Sequence, residues 1–261
     1  MGLLSGKTAL IFGIANERSI AWGITKAFHQ EGALLGFSYA GEVIEKRIRP
    51  LAQSLGVTFV EPCDVSKDED IAAIVEKVKT AFGQVDIIVH SIGFANKEEL
   101  EGPYFNTSRA GFHLAMDISV FSFTALAKSF FPILRPGGAM LTLTYYGSEK
   151  VAPNYNVMGV AKAALEASVR YLAYDFGPHG MRVNAISAGP IRTLAAAGVA
   201  SFKDMYRNFH LLAPLRENVT IEDIGNTALY LCSDLSRHVT GEIVYVDSGY
   251  NILAFPTLTA D

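Results

Sequence analysis

Short apolar runs rich in β-branched residues alternate with longer stretches of helical periodicity along almost the whole chain. The runs that read as strands lie at 8–12, 34–39, 58–61, 86–90, 139–144, 182–187 and 242–246. The stretches that read as helices lie at 20–30, 42–55, 67–81, 108–131, 159–176 and 221–232. Strands that alternate with helices of this length build a parallel sheet. The pattern predicts an α/β fold with a seven-stranded, doubly wound parallel sheet and helices on both faces.

Composition agrees with a compact fold without a linker. Half of the 261 residues are hydrophobic and only 18% are charged, which suits strands buried on both faces. We therefore expect one domain over 1–261. The segment 191–216 follows a strand but continues as a loose apolar insertion, and we expect a lid over a ligand crevice there. An ordinary packed helix remains the alternative.

Charge and cysteine content argue against several classes of protein. The net charge of −4 gives no attraction for nucleic acid or an anionic membrane. Cys63 and Cys232 form no CxxC pair and the six histidines show no HxxxH spacing, so we expect no disulfide and no metal site. No uncharged run of about 18 apolar residues and no signal peptide stand out. We expect a cytoplasmic protein without a membrane span.

The turn between the first strand and the first helix is a candidate dinucleotide site. It runs from Gly13 to Ile20, where backbone N–H groups and a helix N-terminus can hold a pyrophosphate. The turn departs from GxGxxG, because Ala15 and Arg18 replace two glycines. Taken alone, a strand, a glycine turn and a helix also occur in folds that bind no nucleotide.

Three later segments strengthen the dinucleotide interpretation. The third predicted strand ends in Cys63-Asp64-Val65, and the fourth ends in His90-Ser91-Ile92-Gly93. The sixth ends in Ser187-Ala188-Gly189-Pro190-Ile191-Arg192-Thr193. They offer a carboxylate for adenine, a glycine that admits the ribose, and backbone amides for the nicotinamide carboxamide. All lie at strand C-termini, which form one edge of a parallel sheet. They predict one crevice in a Rossmann-type fold.

The end of the second strand bears on the choice between NADH and NADPH. A 2′-phosphate calls for Arg or Lys immediately after this strand, where the chain has Ala40. The nearest basic residues, Lys46 and Arg47, lie inside the following helix. This arrangement favours NADH over NADPH.

The segment from Tyr145 to Lys162 carries the candidate chemistry. Tyr155 and Lys162 stand seven residues apart, so two helical turns place them on nearly the same face. The phenol can donate to a carbonyl that becomes an oxyanion, while the lysine binds ribose hydroxyls and favours the ionised phenol. A tyrosine one turn farther from the lysine than in a Tyr-x3-Lys pair suits conjugate reduction, in which hydride lands two bonds beyond the carbonyl carbon.

A second pair, Tyr146 and Lys150, has the Tyr-x3-Lys spacing that a ketoreductase would use. Gly147 lies inside it and Pro153 follows it, so we expect a loop in which the two side chains need not share a face. A ketoreductase built on this pair is the alternative enzyme. A non-catalytic dinucleotide-sensing module is the alternative of another class, although it has no need of both Tyr155 and Lys162.

Over nearly its full length the chain resembles the enoyl-acyl carrier protein reductases of bacterial type II fatty-acid synthesis. They are a divergent branch of the short-chain dehydrogenase/reductase superfamily, whose other members mostly carry Tyr-x3-Lys. The segments that carry the resemblance are 13–20, Asp64-Val65, 90–93, Tyr145, 155–159 with Lys162, 182–190 and 240–242. The Tyr-x6-Lys spacing is specific to that branch.

The resemblance implies a role for each matching residue. Tyr155 would donate to the thioester carbonyl, Lys162 would hold the nicotinamide ribose, and Tyr145 would be a second active-site tyrosine. Ala95 would contact substrate through its backbone. Independently of the resemblance, we expect Met158 to line the substrate crevice together with Tyr145. The implied cofactor contacts are Gly13, Ser19, Ile20, Asp64, Val65, Ile92, Ile191, Arg192, Thr193, Leu194 and Ala195.

The resemblance further implies NADH as cofactor, an enoyl thioester on acyl carrier protein as substrate, and a homotetramer. Ala40 departs from the family, in which a Gln can follow the second strand of NADH-using members. The helices predicted at 108–131 and 159–176 are apolar around much of their circumference, which suits a subunit interface. Burial within one subunit explains the same pattern.

Overall fold

The computed structural model describes residues 2–198 and 202–254. Within this part of the chain, all the strands pair in parallel in one sheet of order β3-β2-β1-β4-β5-β6-β7. The strands are β1 (Thr8–Phe12), β2 (Leu34–Tyr39), β3 (Phe59–Pro62), β4 (Val85–His90), β5 (Leu134–Thr144), β6 (Arg182–Ala188) and β7 (Ile243–Val246). The strand order reverses between β1 and β4, as in a doubly wound fold. The predicted fold class is confirmed.

Helices cover both faces of this sheet. They are α1 (Ile20–Gln30), α2 (Glu42–Ser54), α3 (Asp68–Phe82), α4 (Arg109–Met116), α5 (Ser122–Phe130), α6 (Asn156–Phe176), α7 (Phe202–Leu212) and α8 (Ile221–Cys232). Alternate residues of each strand face opposite sides, so Ile11 lies in one core cluster and Leu10 in the other. The first cluster packs under α1, α2 and α8, and the second under α3, α5 and α6.

The predicted boundaries of α1 and α8 match the structure, and most others differ by one residue, whereas the starts of β5 and α6 were wrong by more. Strand β5 begins at Leu134, five residues before the predicted start, and its pairing with β4 shifts register between Val85 and Ile87. The early part of β5 is exposed and includes Pro136, so it lacks the apolar run of a buried strand. Helix α6 begins at Asn156 rather than at 159, with Tyr155 as its N-cap.

The stretch predicted as one helix over 108–131 is helical but not uniform. A π-helical segment, Asp117–Phe121, separates α4 from α5. Such segments widen a helix by one residue per turn and are frequent at functional sites. Here the widened turn includes Ser119, which is fully buried and lies beside the loop that follows β4. Apolar periodicity alone does not reveal this insertion.

One helical stretch, Arg109–Ile133, is long and apolar enough to cross a membrane by length and composition alone. In its most apolar window, 44% of the residues are buried inside the protein. Phe123, Leu126 and Phe130 lie at 0% exposure in the core cluster that packs against β4 and β5. These contacts are those of a core helix of the fold.

Candidate active site

The ends of β1 and β4 lie side by side at the point where the strand order reverses. Gly13 follows β1 with a φ of +96°, and a Cβ placed on it would lie 2.0 Å from the backbone oxygen of Ser91. The backbone N–H of Ser91 in turn donates to the oxygen of Phe12 at 3.0 Å. Only glycine permits this approach and this backbone conformation. The crevice at the switch point therefore begins with Gly13.

The N-terminus of α1 is open to an anion. Its N-cap, Ser19, makes no side-chain capping bond, and no acidic residue occupies the first turn. Ser19 instead donates its hydroxyl to the oxygen of Asn16 at 2.5 Å. By contrast, Thr220 and Asp223 close the start of α8 with a complete capping box. The free N–H groups and positive dipole end of α1 fit a pyrophosphate.

A cavity of about 460 Å³ lies at the C-terminal edge of β4, β5 and β6. It brings together most of the site residues predicted from the sequence. Those that line it are Ile20, Ser91, Ile92, Gly93, Ala95, Tyr145, Tyr155, Met158, Lys162, Ile191, Thr193, Leu194 and Ala195. Residues from five separate segments thus converge on one crevice.

Gly13, Ser19, Asp64, Val65 and Arg192 lie outside the walls of this cavity. Asp64 follows β3 and accepts hydrogen bonds from the backbone N–H and hydroxyl of Ser66, which lower the pKa of its carboxyl. Val65 is buried in the core cluster next to α3. The guanidinium of Arg192 lies 4.2 Å from the ring centroid of Tyr206 on α7. Their cofactor contacts remain predictions.

The two predicted active-site tyrosines contact each other. The rings of Tyr145 and Tyr155 meet edge to face, with centroids 5.0 Å apart and planes at 77°. The hydroxyl of Tyr145 donates to the sulfur of Met205 on α7 at 3.2 Å. Gly147 makes room for this packing, because a Cβ there would lie 2.7 Å from Cδ1 of Tyr155. The position of the Tyr155 ring therefore depends on a glycine in the preceding turn.

Burial keeps both phenols protonated. It raises the pKa of Tyr145 to about 12 and that of Tyr155 further above the ordinary value of a phenol. In the nucleotide-free protein, burial and the neighbouring Tyr145 raise the pKa of Tyr155, and the expected effect of Lys162 on an ionised phenol stays a prediction. A neutral phenol retains its proton and can donate a hydrogen bond to a developing oxyanion.

Lys162 is a buried cation in the floor of the cavity. It is 7% exposed, and its Nζ donates to the backbone oxygen of Leu143 near the end of β5 at 2.7 Å. Gly93 lines the cavity beside this Nζ, and a Cβ placed on it would lie 3.6 Å from the ammonium, in ordinary van der Waals contact. Burial lowers the pKa of Lys162 to about 8, while the nearby Glu166 opposes that shift. A partly desolvated ammonium next to open space suits a ligand hydroxyl.

The pair Tyr146 and Lys150 does not reach this cavity. Tyr146–Ser148 forms a single 3-10 turn, where a loop was expected, and the Tyr146 hydroxyl donates to the oxygen of Asn251 at 3.0 Å. Both side chains instead line a second cavity of about 770 Å³ between this turn, α7 and the segment after β7. Lys162 is not part of that second cavity. The prediction that this pair does not form the active site agrees with the geometry.

Cysteines and metal-binding side chains are not gathered into a site. Cys63 and Cys232 are free and buried, and burial raises the pKa of each thiol to about 12. Over residues 2–198 and 202–254, no three His, Cys, Asp or Glu side chains come together in a way that could hold a metal ion. His90 is fully buried, and its ring nitrogens bond to the hydroxyls of Thr142 and Ser122.

Sequence reasoning missed the residues that support the site from behind. Ser119 in the π-helical segment accepts from the N–H of Phe94 at 3.0 Å and donates to the oxygen of Phe94 at 3.1 Å. These two hydrogen bonds to Phe94 hold the loop that carries Gly93 and Ala95. A serine inside an apolar helix gives no signal of that role. Gly147 did give a signal, but it was interpreted only as a helix breaker.

The sequence matches known proteins throughout. The sequence model of the family described as "Enoyl-(Acyl carrier protein) reductase" matches residues 13–251. Enoyl-(acyl-carrier-protein) reductase (NADH) 2 of Rhizobium meliloti is 57% identical over 99% of this chain and 97% of the relative. The NADH enzyme of Aquifex aeolicus is 54% identical over 97% of this chain and 94% of its own length.

Solved structures match the fold equally well. The enoyl-acyl carrier protein reductase of Bacillus cereus, crystallised with NADP+ and indole naphthyridinone, has a TM-score of 0.96 at 53% identity and covers 98% of this chain and 100% of that one. The enzyme of Anaplasma phagocytophilum in complex with NAD has a TM-score of 0.95 at 48% identity, with 98% of each chain covered. This chain belongs to the enoyl-(acyl carrier protein) reductase family.

Proposed function

We propose that this protein reduces the trans-2 double bond of enoyl thioesters carried on acyl carrier protein, with NADH as reductant. The observation that carries the proposal is the convergence of Tyr145, Tyr155 and Lys162 on one cavity at the switch edge of the sheet. The spacing of Tyr155 from Lys162 separates the carbonyl contact from the ribose contact, as conjugate reduction requires. Family membership points to the same reaction.

When bound, the reduced nicotinamide supplies the hydride that is added to C3 of the enoyl thioester. Tyr155 donates its hydroxyl proton in a hydrogen bond to the thioester oxygen, where the negative charge of the enolate develops. Because burial holds this phenol neutral, the hydrogen bond is available throughout the physiological pH range. Tyr145, packed edge to face on Tyr155, limits the directions in which that ring can turn. C2 is then protonated to complete the reduction.

Lys162 binds the ribose hydroxyls next to the nicotinamide. Its Nζ is held by the oxygen of Leu143 and has further N–H donors to offer. Gly93 lines the cavity next to this Nζ. The proposed cofactor contacts, running from the pyrophosphate end to the nicotinamide end, are Gly13, Ser19, Ile20, Asp64, Val65, Ser91, Ile92, Gly93, Lys162, Ile191, Arg192, Thr193, Leu194 and Ala195.

The charges on α2 support the choice of NADH over NADPH. Strand β2 ends at Tyr39, and Ala40 offers no charge to a 2′-phosphate. Arg49 forms an ion pair with Glu45 at 2.5 Å and lies over the ring of Tyr39. This guanidinium is therefore already neutralised by a carboxylate of its own helix. A 2′-phosphate would have to compete with Glu45 for it.

The protein is proposed to be a single domain over 1–261. Within it, the segment 191–216 forms a lid that closes the substrate site. Its described part includes the turn at Ala196–Gly198 and α7, and Phe202 and Met205 form part of the cavity wall. The predicted lid also includes 199–201, which lie outside the described residues. Ala95, Tyr145, Tyr155 and Met158 would contact the enoyl thioester, with the acyl chain against α7.

A cytoplasmic homotetramer is the proposed assembly, without nucleic acid, membrane or metal. Exposed aromatic side chains on the predicted interface helices support it: Phe121 is 56% exposed, Tyr171 76% and Tyr174 83%. Tyr171 and Tyr174 are three residues apart on α6 and so share one face of the helix, and exposed aromatic surface of this kind suits a subunit contact. Small residues of α6, including Ala163 and Ala167, are partly exposed and would allow close helix approach. Sedimentation equilibrium of the protein at several concentrations tests the tetramer.

Comparison of substrates and cofactors tests the reaction. NADH consumption is followed spectrophotometrically with crotonyl and acetoacetyl thioesters, and then with NADPH in place of NADH. We expect turnover of the crotonyl thioester with NADH, and little turnover of the acetoacetyl thioester. Faster reduction of the acetoacetyl substrate would instead identify a ketoreductase. Equal use of NADPH would refute the proposed cofactor preference.

A further inference from the structure

Glu166 is a buried carboxylate that the proposed reaction does not use. It is 6% exposed and lies on α6 four residues after Lys162, so the two side chains share one face of the helix. Its Oε1 accepts a hydrogen bond from the hydroxyl of Thr144 at 2.6 Å. Removing a carboxylate from water costs several kcal/mol even after relaxation. A neutral side chain would fill this position at a lower cost in stability.

Two adjacent bonds join α6 to the end of β5. Lys162 donates to the oxygen of Leu143, and Glu166 accepts from the hydroxyl of the next residue, Thr144. Tyr145 follows directly and contacts Tyr155. The lysine and the glutamate therefore hold the strand end from which the active-site tyrosine extends.

The other titratable groups around this pair are neutral near pH 7. Burial lowers the pKa of His90 to about 3, and the charge of Lys162 adds to that shift. Burial raises the pKa of Tyr145 and of Tyr155. Burial, the hydrogen bond to Glu149 and the charge of Glu166 all raise the pKa of Tyr245 on β7. Among the described residues around Lys162, Glu166 is therefore the anion placed to compensate the buried ammonium.

We infer that Glu166 is a positioning residue whose negative charge keeps Lys162 an ammonium in the cavity and whose bond to Thr144 holds the strand end that carries Tyr145. The inference rests on the proposed function for the identity of the ligand that Lys162 binds. The coupling between Lys162 and Glu166 is independent of the proposed function. A glutamine could accept the same hydrogen bond from Thr144, so the charge distinguishes this role from simple helix–strand packing.

The test compares Glu166→Gln with Thr144→Val. The first removes the charge and retains an acceptor, whereas the second removes the donor and retains the charge. Chemical unfolding of the nucleotide-free protein is measured from pH 6 to pH 10. The pKa of Lys162 is lower in the folded protein than in the unfolded chain, so stability rises as pH increases from the folded value towards the unfolded value.

In Glu166→Gln we expect this rise to begin about one to two pH units lower than in the parent, because the charge of a neighbouring anion on the same helix face is lost. Thr144→Val should lower stability at all pH values without moving the rise. Binding of NADH, followed by its fluorescence, should weaken at a correspondingly lower pH in Glu166→Gln alone. A stability curve of Glu166→Gln that differs from the parent only by a constant would overturn the inference.

A double variant covers the case in which Glu166→Gln does not fold. In a Lys162→Met background there is no ammonium to compensate, so adding Glu166→Gln should leave stability unchanged or increase it. A double variant that is less stable than Lys162→Met alone would contradict the coupling. These unfolding measurements use neither NADH nor thioester. The coupling between Lys162 and Glu166 can therefore be refuted while the reductase activity is confirmed. Equally, the coupling can be confirmed while the reductase activity is refuted.

Discussion

Two tyrosine–lysine pairs occur in one short segment, and the fold treats them in opposite ways. Tyr155 and Lys162 line the cavity at the switch edge, and burial shifts the pKa of both groups. Tyr146 bonds to the oxygen of Asn251 on the other side of the segment, and Lys150 is exposed to solvent. The pair with the wider spacing thus enters the crevice, and the pair with the ketoreductase spacing does not.

The difference arises from the secondary structure that carries the lysine of each pair. Lys162 lies inside a long helix whose buried face packs on the sheet, so its side chain is carried to the end of β5. Lys150 follows a single 3-10 turn and has no such backing. A motif of two residues therefore acquires chemistry only where the surrounding structure desolvates it and aims it at a cavity.

Of the substitutions in the two pairs, Tyr155→Phe should have the largest effect on catalytic activity. The variant loses the hydrogen bond to the developing enolate oxygen, and we expect kcat/KM for crotonyl thioester to fall by about 10²- to 10³-fold. NADH affinity, measured by fluorescence titration, should change by less than about twofold. Turnover equal to that of the parent would remove Tyr155 from the mechanism.

Replacing Lys162 by methionine should come next. The loss of a charged hydrogen-bond donor to the ribose should weaken NADH binding about 10- to 100-fold. Fluorescence titration measures the affinity, and circular dichroism checks that the fold is retained. NADH affinity equal to that of the parent would show that the lysine does not bind the ribose.

Gly147→Ala tests whether the Tyr146 turn supports Tyr155. The added methyl group would lie 2.7 Å from the Tyr155 ring, so the ring must move. We expect kcat/KM to fall about tenfold, with a loss of about 1–3 kcal/mol in the free energy of unfolding. Gly83→Ala is a control for the loss of a glycine, because its positive φ strains alanine in open space far from the cavity. Unchanged kinetics in Gly147→Ala would contradict this supporting role.

The pH dependence of NADH binding should follow Lys162. Because the pKa of this lysine in the free protein is about 8, the fraction that carries the ammonium falls as pH rises through that value. We expect NADH affinity to fall about fourfold between pH 7 and pH 8.5. Titrations across this range should give a flat profile in Lys162→Met. A parent profile that is also flat would exclude the lysine as the titrating group.

The smallest effect is expected for the second pair. Tyr146→Phe and Lys150→Ala should each leave kcat/KM for crotonyl thioester within about twofold of the parent, because neither side chain lines the cavity that holds Lys162. Steady-state assays with both thioesters check this. A large loss in either variant would mean that the Tyr-x3-Lys pair takes part in the reaction.

Much of the fold was predictable because its signals are local. The apolar strands and amphipathic helices follow from periodicities of two and 3.6 residues, and α1 and α8 match their predicted bounds. The start of β5 and the π-helical segment at Asp117–Phe121 were not predictable in this way. Both depend on pairing and packing with elements distant in sequence. The exposed start of β5 carries no apolar alternation, and a π turn leaves no mark in composition.

The sequence by itself determined the order of strands and helices, the glycine turn after β1 and the seven-residue interval between Tyr155 and Lys162. These features depend on neighbours along the chain, where backbone geometry sets the distances. Only the tertiary structure decided that Tyr155 stays neutral, that Lys162 bonds to Leu143, and that Glu166 lies buried one helical turn away. Protonation depends on desolvation by residues from several elements, and that environment exists only once the sheet and its helices have packed.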